Sequence, residues 1–228
     1  KTVDRSYKAN TLTENGTVTE GVVETSAELL GYSGWSGSNY LSRASDADWD
    51  VLGTGSAYLS CWFKSSGSSE RGLCGFNNSG QTIRFLLRLQ SNGAMVYIDD
   101  GATANAGITS AITGLNDDIW HKADFVRVSS TERSLYIDGV LDSAGSTDAG
   151  SISSSGNLPF AIGIENISGT SPAASTTLSL VRLSATVPTA TQVRQMYDAE
   201  KGMFVASAEC LLQSGSTDAV LDVDVDPL

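Results

Sequence analysis

The stretch IWHKADFVRVSSTERSLYIDGVLDSAG, at residues 119–145, decides the fold. In its first part, two sets of side chains alternate: Trp120, Lys122, Asp124, Val126 and Val128 with His121, Ala123, Phe125 and Arg127. This period of two indicates a half-buried strand, because successive side chains point to opposite faces. The polar residues 129–131 predict a turn, and residues 133–137 predict a second strand. Asp138-Gly139 then predicts a hairpin, since both residues tolerate positive φ. The stretch therefore predicts an antiparallel meander.

Similar alternation predicts strands elsewhere. The strongest is at residues 56–64, where Leu59, Cys61 and Phe63 share one face. Shorter strands are predicted at residues 39–43, 72–76, 82–89, 94–98, 106–112, 158–164 and 178–183. Residues 146–157 and 165–175 are predicted to be long polar loops.

One helix is predicted near the end of the chain. Thr189 and Gln192 have the spacing of a capping box. Val193, Met196 and Tyr197 form its apolar stripe. Gly202 is expected to end it in a left-handed conformation.

Length and charge limit the possible functions. At 228 residues the chain can bury the core of one moderate sandwich. Its net charge of −12 argues against nucleic acid and anionic lipid as partners, because phosphate binding needs clustered Lys and Arg. No apolar run approaches the roughly 20 residues of a membrane span. The chain begins at Lys1 without a signal peptide, which predicts an excised segment.

The cysteines are Cys61, Cys74 and Cys210, an odd number that cannot close a disulfide framework. Cys61 and Cys74 lie on candidate neighbouring strands and could pair. The favoured interpretation is three reduced thiols, two of which fill the core.

The central stretch resembles the core of laminin-G-like domains, which are concanavalin-A-like relatives of pentraxins. The resemblance is carried by Trp120-His121-Lys122, by Phe125-Val126-Arg127 and by residues 134–141, SLYIDGVL. It implies an all-β fold: an antiparallel two-sheet jelly-roll sandwich with one short C-terminal helix. We expect an extended lead-in at residues 1–28, the domain at residues 29–204, and at residues 205–228 the start of a following module.

A second resemblance concerns the edges of the domain. DRSYKAN at residues 4–10, LLGYSG at 29–34, LSATVPTA at 183–190 and MYDAEKGMF at 196–204 are similar to the edges of laminin-G-like modules in bacteriophage tail and virion proteins. This implies a virion protein, a tail fibre or other appendage, assembled in bacterial cytoplasm. By analogy with tail fibres it also implies a homotrimer.

Catalytic residues are not indicated. A retaining glycosidase needs two carboxyl groups about 5 Å apart, and glycan-cleaving relatives carry a Glu-x-Asp-x-Glu-like run that this chain lacks. His121 is the sole histidine and is expected to be structural. No Gly-x-Ser-x-Gly elbow is present. The expectation is a protein that is not an enzyme, with a glycan hydrolase or lyase as an alternative.

Calcium is the candidate cofactor. It takes six to eight oxygen ligands, and laminin-G-like and pentraxin domains often hold it at one rim. Along the predicted meander, Asn92, Asp117, Asp118 and Asp138 fall at the same end of the sandwich. The alternative is that these side chains cap the backbone of their own turns.

Aromatic residues in loops suit carbohydrate binding, because rings stack on sugar faces. Trp35 and Trp49 are the candidates, although packing over a sheet edge is the favoured interpretation of both. The predicted function is a non-catalytic module that recognises a host-surface glycan or other receptor through rim loops. The main alternative is a structural spacer that contacts only other virion subunits.

Overall fold

The computed structural model describes residues 10–45, 55–77, 84–100, 107–146 and 158–206. Within them the chain forms short strands and one α-helix, α1 (Ala190–Glu200). In chain order the strands are β1 (Thr13–Asn15), β2 (Thr19–Val22), β3 (Leu30–Ser33), β4 (Tyr40–Arg43), β5 (Ala57–Ser65), β6 (Arg71–Asn77), β7 (Arg84–Leu89), β8 (Met95–Asp100), β9 (Ile108–Thr109), β10 (Trp120–Ser129), β11 (Glu132–Ile137), β12 (Val140–Gly145), β13 (Phe160–Ile162), β14 (Ile164–Asn166), β15 (Thr170–Pro172) and β16 (Thr176–Ser184).

Two seven-stranded antiparallel sheets form a sandwich. Sheet I has the order β1-β4-β13-β6-β7-β8-β9, and sheet II has the order β12-β11-β10-β5-β16-β3-β2. The predicted all-β sandwich with one C-terminal helix is confirmed. Strands β1 and β2 lie in the predicted lead-in, and each is the outermost strand of one sheet. Within residues 165–175, predicted to be a loop, β14 and β15 instead pair as a small hairpin.

The central meander is confirmed. Strand β10 pairs with β5 on one side and with β11 on the other, and β11 pairs with β12. Asp138 and Gly139 have φ values of 51° and 74° at the turn between β11 and β12. Both residues thus adopt the left-handed conformation that a two-residue hairpin turn requires.

The two sheets pack through the inner faces of their strands. Phe125 of β10 stacks on Tyr97 of β8 and meets Phe85 of β7 edge to face, which joins sheet II to sheet I. Such rings bury a large apolar surface, and the burial of apolar surface is the dominant favourable term in folding.

Cys61 and Cys74 are free and buried, as the favoured interpretation predicted. They lie in opposite sheets, on β5 and β6, so the expectation of neighbouring strands was wrong. A hydrogen bond between the two thiols, together with burial, raises the pKa of Cys61 well above its usual value. A protonated, buried thiol is a poor nucleophile, so Cys61 is a core residue. Cys210 lies outside the described residues.

The predicted capping box of α1 is present. Thr189 is the N-cap, and its side chain accepts a hydrogen bond from the backbone N–H of Gln192. The predicted left-handed stop at Gly202 is wrong, because the chain continues into a 3-10 turn, Lys201–Phe204. That turn brings Phe204 onto Trp62, with ring centroids 4.1 Å apart. None of the helices in the described part of the chain has the length and apolar character needed to span a bilayer.

Helix α1 covers charged residues on the outer face of sheet II. Lys122 and Asp124 of β10 are both fully buried there, with Nζ 2.9 Å from Oδ1. The Tyr58 hydroxyl donates to Asp124 Oδ1 at 2.6 Å. Trp62 Nε1 donates to Glu200 Oε2 at 2.7 Å, at the C-terminal end of α1. Burial raises the pKa of Asp124, and the Lys122 ammonium opposes that rise. The network fixes the last turn of the helix on the sheet.

Candidate functional site

One end of the sandwich brings together the turns singled out in the sequence. Trp120, which begins β10, pairs with Lys64 near the end of β5. At the same end, the Gly114 N–H donates to Asn92 O at 3.0 Å, and Asn116 Nδ2 donates to Gly67 O at 2.8 Å. We call this end, with the Asp138 turn and residues 66–70, the His121 rim. The turns at Asn92, residues 116–118 and Asp138 therefore lie together, as predicted.

His121 is held between two carboxylates at this rim. Its Nδ1 lies 2.8 Å from Asp138 Oδ2, and its Nε2 lies 3.2 Å from Asp117 Oδ1. Burial lowers the pKa of His121, but the hydrogen bond and charge of Asp138, with those of Asp117, outweigh it and raise the pKa above 6.5. The sequence predicted a structural histidine, and the spacing of Asp117 four residues before His121 was the available signal.

The pH dependence of stability should show this arrangement. A histidine whose folded pKa exceeds its unfolded value contributes stability that is fully present below the unfolded pKa, about 6.5. That contribution is lost as the pH rises through the folded pKa. We expect His121→Gln to lose most stability near pH 5.5 and progressively less at higher pH, as measured by urea unfolding.

Because the chain has a single histidine, its imidazole protons give an unambiguous NMR titration. A titration midpoint of His121 below about pH 6.5 would contradict its hydrogen bonds to Asp117 and Asp138.

The predicted calcium ligands lie on the rim, but several of their side-chain oxygen atoms already accept hydrogen bonds from protein groups. Asn92 Oδ1 accepts from the Ala94 N–H at 3.0 Å, and Asp138 Oδ1 accepts from the Lys122 N–H at 2.8 Å. Asp117 Oδ1 accepts from the Ile119 N–H at 3.0 Å. Asp118 has a φ of 64° in the same loop. Within the described residues, no three or more His, Cys, Asp or Glu side chains are grouped to hold a metal ion. Calcium binding by Asn92, Asp117, Asp118 and Asp138 stays a prediction.

Trp35 lies in the main core, with 4% of its surface exposed. Gly163 packs directly on its indole, and a Cβ there would lie 2.0 Å from Cε3. The prediction of Trp35 as a surface stacking residue is therefore wrong, because the ring has no face open to a ligand. Trp49 lies outside the described residues.

An open cleft of about 430 Å³ lies at the His121 rim, on the side of β16, β3 and β2. Its walls are mostly polar side chains from distant parts of the sequence: Ser33, Lys64, Ser66, Asp118, Ser175 and Thr177. Lys64 Nζ lies 2.8 Å from Glu24 Oε1 and is partly exposed. Val22 and Trp120 add an apolar edge. The cleft thus offers hydroxyl groups, one cation and one carboxylate around a small apolar surface.

Sequence reasoning missed this cleft. Its serines and threonines belong to three separate strand ends, those of β3, β5 and β16, and such residues are common in any turn. The pairing of β16 with both β5 and β3 brings them together.

A two-sheet sandwich with a polar cleft at the rim is the architecture of a lectin-like domain. The chain belongs to the Concanavalin A-like lectin/glucanases superfamily, whose laminin-G family model matches residues 35–194. No curated protein sequence matches the chain.

Solved toxin domains are similar in structure. The binding domain of Paraclostridial Mosquitocidal Protein 1 has a TM-score of 0.70 and 13% identity, over 86% of this chain and 49% of that one. The botulinum neurotoxin serotype D ligand-binding domain, in complex with N-acetylneuraminic acid, has a TM-score of 0.64 and 11% identity, over 87% and 48%. The botulinum neurotoxin DC binding domain, in complex with rat synaptotagmin II, has a TM-score of 0.64 and 10% identity, over 86% and 48%. These identities show a shared fold alone, and the chain spans about half the length of each domain.

Proposed function

We propose that this chain is a non-catalytic carbohydrate-binding module that holds a surface glycan in the cleft of the His121 rim. The observation that carries the proposal is the open cleft lined by Lys64, Asp118 and several side-chain hydroxyls. Sugars present many hydroxyl groups and small apolar faces, and a site that binds them needs several polar groups converging around an apolar surface. The superfamily and the glycan in one structurally similar toxin domain support this class of ligand.

Lys64 is the residue best placed to anchor a sugar. Its ammonium carries three donors, and among the described residues the contact with Glu24 Oε1 at 2.8 Å occupies one of them. The remaining donors can reach ring or hydroxyl oxygens of a bound sugar. Asp118 is exposed in the turn before β10, the strand that neighbours β5, and its carboxylate can accept hydrogen bonds from sugar hydroxyls.

The site supports binding rather than catalysis. A Ser-His-Asp triad needs one imidazole nitrogen directed at a serine. Both ring nitrogens of His121 face carboxylates instead, those of Asp117 and Asp138. The proposal is therefore that the chain is not an enzyme.

The proposed setting is a bacteriophage virion, as a tail fibre or appendage that contacts the host surface. This setting rests on the resemblance of the edge segments alone. Repeated copies in a homotrimer or larger assembly would raise weak single-site affinity through avidity.

A glycan array with the whole chain and two matched variants tests the function. Lys64→Gln should weaken binding about 10- to 150-fold, because a hydrogen bond from a charged donor contributes about 1.5–3 kcal/mol. Lys201→Gln makes the same chemical change on the exposed side of the helix, where Lys201 Nζ contacts Asp198, and should bind like the unchanged chain.

Parallel arrays in calcium and in EDTA separate the calcium prediction from the cleft. Binding that disappears in EDTA would support a rim metal. The absence of any bound glycan in both conditions, or binding unaffected by Lys64→Gln, would contradict the proposed site.

The structural alternative also has an observation in its favour. Strand β2 (Thr19–Val22) is the outermost strand of sheet II, and all four of its residues are exposed. An exposed edge strand can pair with a neighbouring subunit. A Gly21→Lys change that abolishes assembly and leaves glycan binding intact would support that role, because a charged side chain on an edge strand opposes pairing with another strand, and a Cβ at Gly21 meets no atom within 4 Å.

A further inference from the structure

Arg71 is a charged residue that faces the interior of the sandwich. It begins β6 and pairs with Leu89 at the end of β7. Directly opposed residues in an antiparallel pair lie on the same face, and Leu89 belongs to the main core. The Arg71 side chain therefore points between the sheets at the His121 rim, and it is 0% exposed.

The guanidinium of Arg71 has no hydrogen-bonding partner in the part of the chain that the structure describes. Its Nε, Nη1 and Nη2 are all buried without a hydrogen bond among the described residues. The other buried arginines of the strands, Arg127 and Arg133, each have one such nitrogen, Nε. Burial lowers the pKa of Arg71. Buried charges are ordinarily paired, because an unpaired one forfeits its hydration without compensation, so this guanidinium lacks an anion.

The cover over Arg71 is thin and belongs to the edge of the cleft. Gly67 packs on the guanidinium, and a Cβ there would lie 2.5 Å from Nη2. Ser66, Ser68, Ser69 and Glu70 around it are exposed. Among the described residues, the Ser66 N–H donates to Ser175 O at 3.1 Å and Asn116 Nδ2 donates to Gly67 O at 2.8 Å. Arg88 Nη1 also lies 3.6 Å from Glu70 Oε2 at the end of the segment. Ser66 and Ser175 also line the cleft, so a small movement of residues 66–70 would open the guanidinium to it.

We propose that Arg71 recognises the carboxylate of an acidic sugar, so that the ligands of this cleft are glycans that carry uronic or sialic acids. The inference rests on the proposed function and names its ligand class. A guanidinium presents five donors in a planar fork that matches a carboxylate with two parallel hydrogen bonds. A neutral sugar offers hydroxyl oxygens as acceptors but no negative charge, whereas a carboxylate supplies both the charge and two acceptors in the matching geometry. Lys64, on the cleft wall, adds a second cation for the same ligand.

The test compares sodium glucuronate with methyl glucoside, a neutral sugar of the same ring size, by NMR titration of the whole chain. We expect glucuronate to shift the Arg71 Nε resonance and to bind more tightly than methyl glucoside. Arg71→Met should reduce glucuronate binding about 10- to 100-fold and leave methyl glucoside binding unchanged. Arg194→Met, on the exposed face of α1 where Arg194 pairs with Asp198, should leave both unchanged.

Folding of the variant can be checked separately. Because Arg71→Met removes an unpaired buried charge, its Tm without sugar should not fall below that of the unchanged chain. The Nε shift in the unchanged chain does not depend on any variant.

Equal binding of the two sugars, or an Nε resonance that glucuronate does not move, would overturn the inference and leave a cleft for neutral glycans. Inorganic phosphate that binds as tightly as glucuronate would also overturn it, since the site would then hold any small anion. If neither sugar binds and Lys64→Gln changes nothing on the array, the proposed function itself fails.

Discussion

Lys122→Ala should reduce the free energy of unfolding by about 3–5 kcal/mol, the usual cost of breaking a buried ion pair from one side. Lys122 Nζ lies 2.9 Å from Asp124 Oδ1, and both side chains are fully buried under α1. Removing the ammonium leaves a carboxylate that cannot reach water. The same substitution also takes away a cation 3.8 Å from Glu200 Oε2 at the end of the helix. Urea unfolding followed by circular dichroism measures the loss.

An exposed pair provides the control. Arg194 Nε and Asp198 Oδ2 are 2.7 Å apart on the outer side of α1, with 48% and 40% of their side-chain surfaces exposed. Exposed pairs of this kind contribute little to stability because water and salt screen them, so Arg194→Ala should change the free energy of unfolding far less than Lys122→Ala. Equal losses from Lys122→Ala and Arg194→Ala would contradict the role assigned to burial.

Replacing both buried partners distinguishes the effect of an unpaired charge from the effect of lost side-chain volume. In Lys122→Met with Asp124→Leu, no unpaired charge remains, and apolar residues of similar volume occupy the site. Such replacements are often neutral or stabilising, so the double variant should be more stable than Lys122→Ala. In the double variant the Tyr58 hydroxyl loses its acceptor on Asp124. This loss limits how much of the stability the double variant regains.

The alternation in β10 allowed its strand and hairpin to be predicted, but not the burial of its outer face. Ala123 and Phe125 face the core as the period of two requires. Lys122 and Asp124 occupy positions that the same pattern assigns to solvent, yet α1 and the 3-10 turn that follows it cover them. The amphipathic helix was recognised from its own residues, but where it docks depends on Trp62, Glu200 and Phe204 meeting across long sequence separations. Local patterns contain no information about that contact.

At the candidate site too, local patterns predicted the turns but not the contacts between residues distant in sequence. The turns at Asn92 and Asp138 were placed at one rim by counting strands. Trp35 was a candidate for sugar stacking because a tryptophan among glycines and serines has the composition of a loop. Its ring instead packs on Gly163, far along the chain, which has room for it only because it lacks a Cβ. Arg71 was not singled out, since an arginine at the start of a strand is ordinary in sequence. Its lack of a partner is visible only once the core around it is assembled.

Phe125→Ala should cost about 3–5 kcal/mol of the free energy of unfolding, as large-to-small changes of buried aromatic residues do. Phe125 is fully buried at the centre of β10, stacked on Tyr97 and 5.8 Å from the ring of Phe85. The loss combines the transfer free energy of the ring with the cavity it leaves between the two sheets. Against a total stability of about 5–15 kcal/mol for a typical domain, it would remove a large share.

Val128→Ala lies on the same strand and gives the matched control, because 46% of the Val128 surface is exposed. It should change stability by about 0.5 kcal/mol or less. The urea midpoints of the two variants, measured at the same pH, show whether the loss of stability depends on burial of the ring. If the two losses are similar, Phe125 does not join the sheets in solution. If Phe125→Ala alone lowers the urea midpoint strongly, the contacts of Phe125 with Tyr97 of β8 and Phe85 of β7 are a main source of the cohesion between the two sheets.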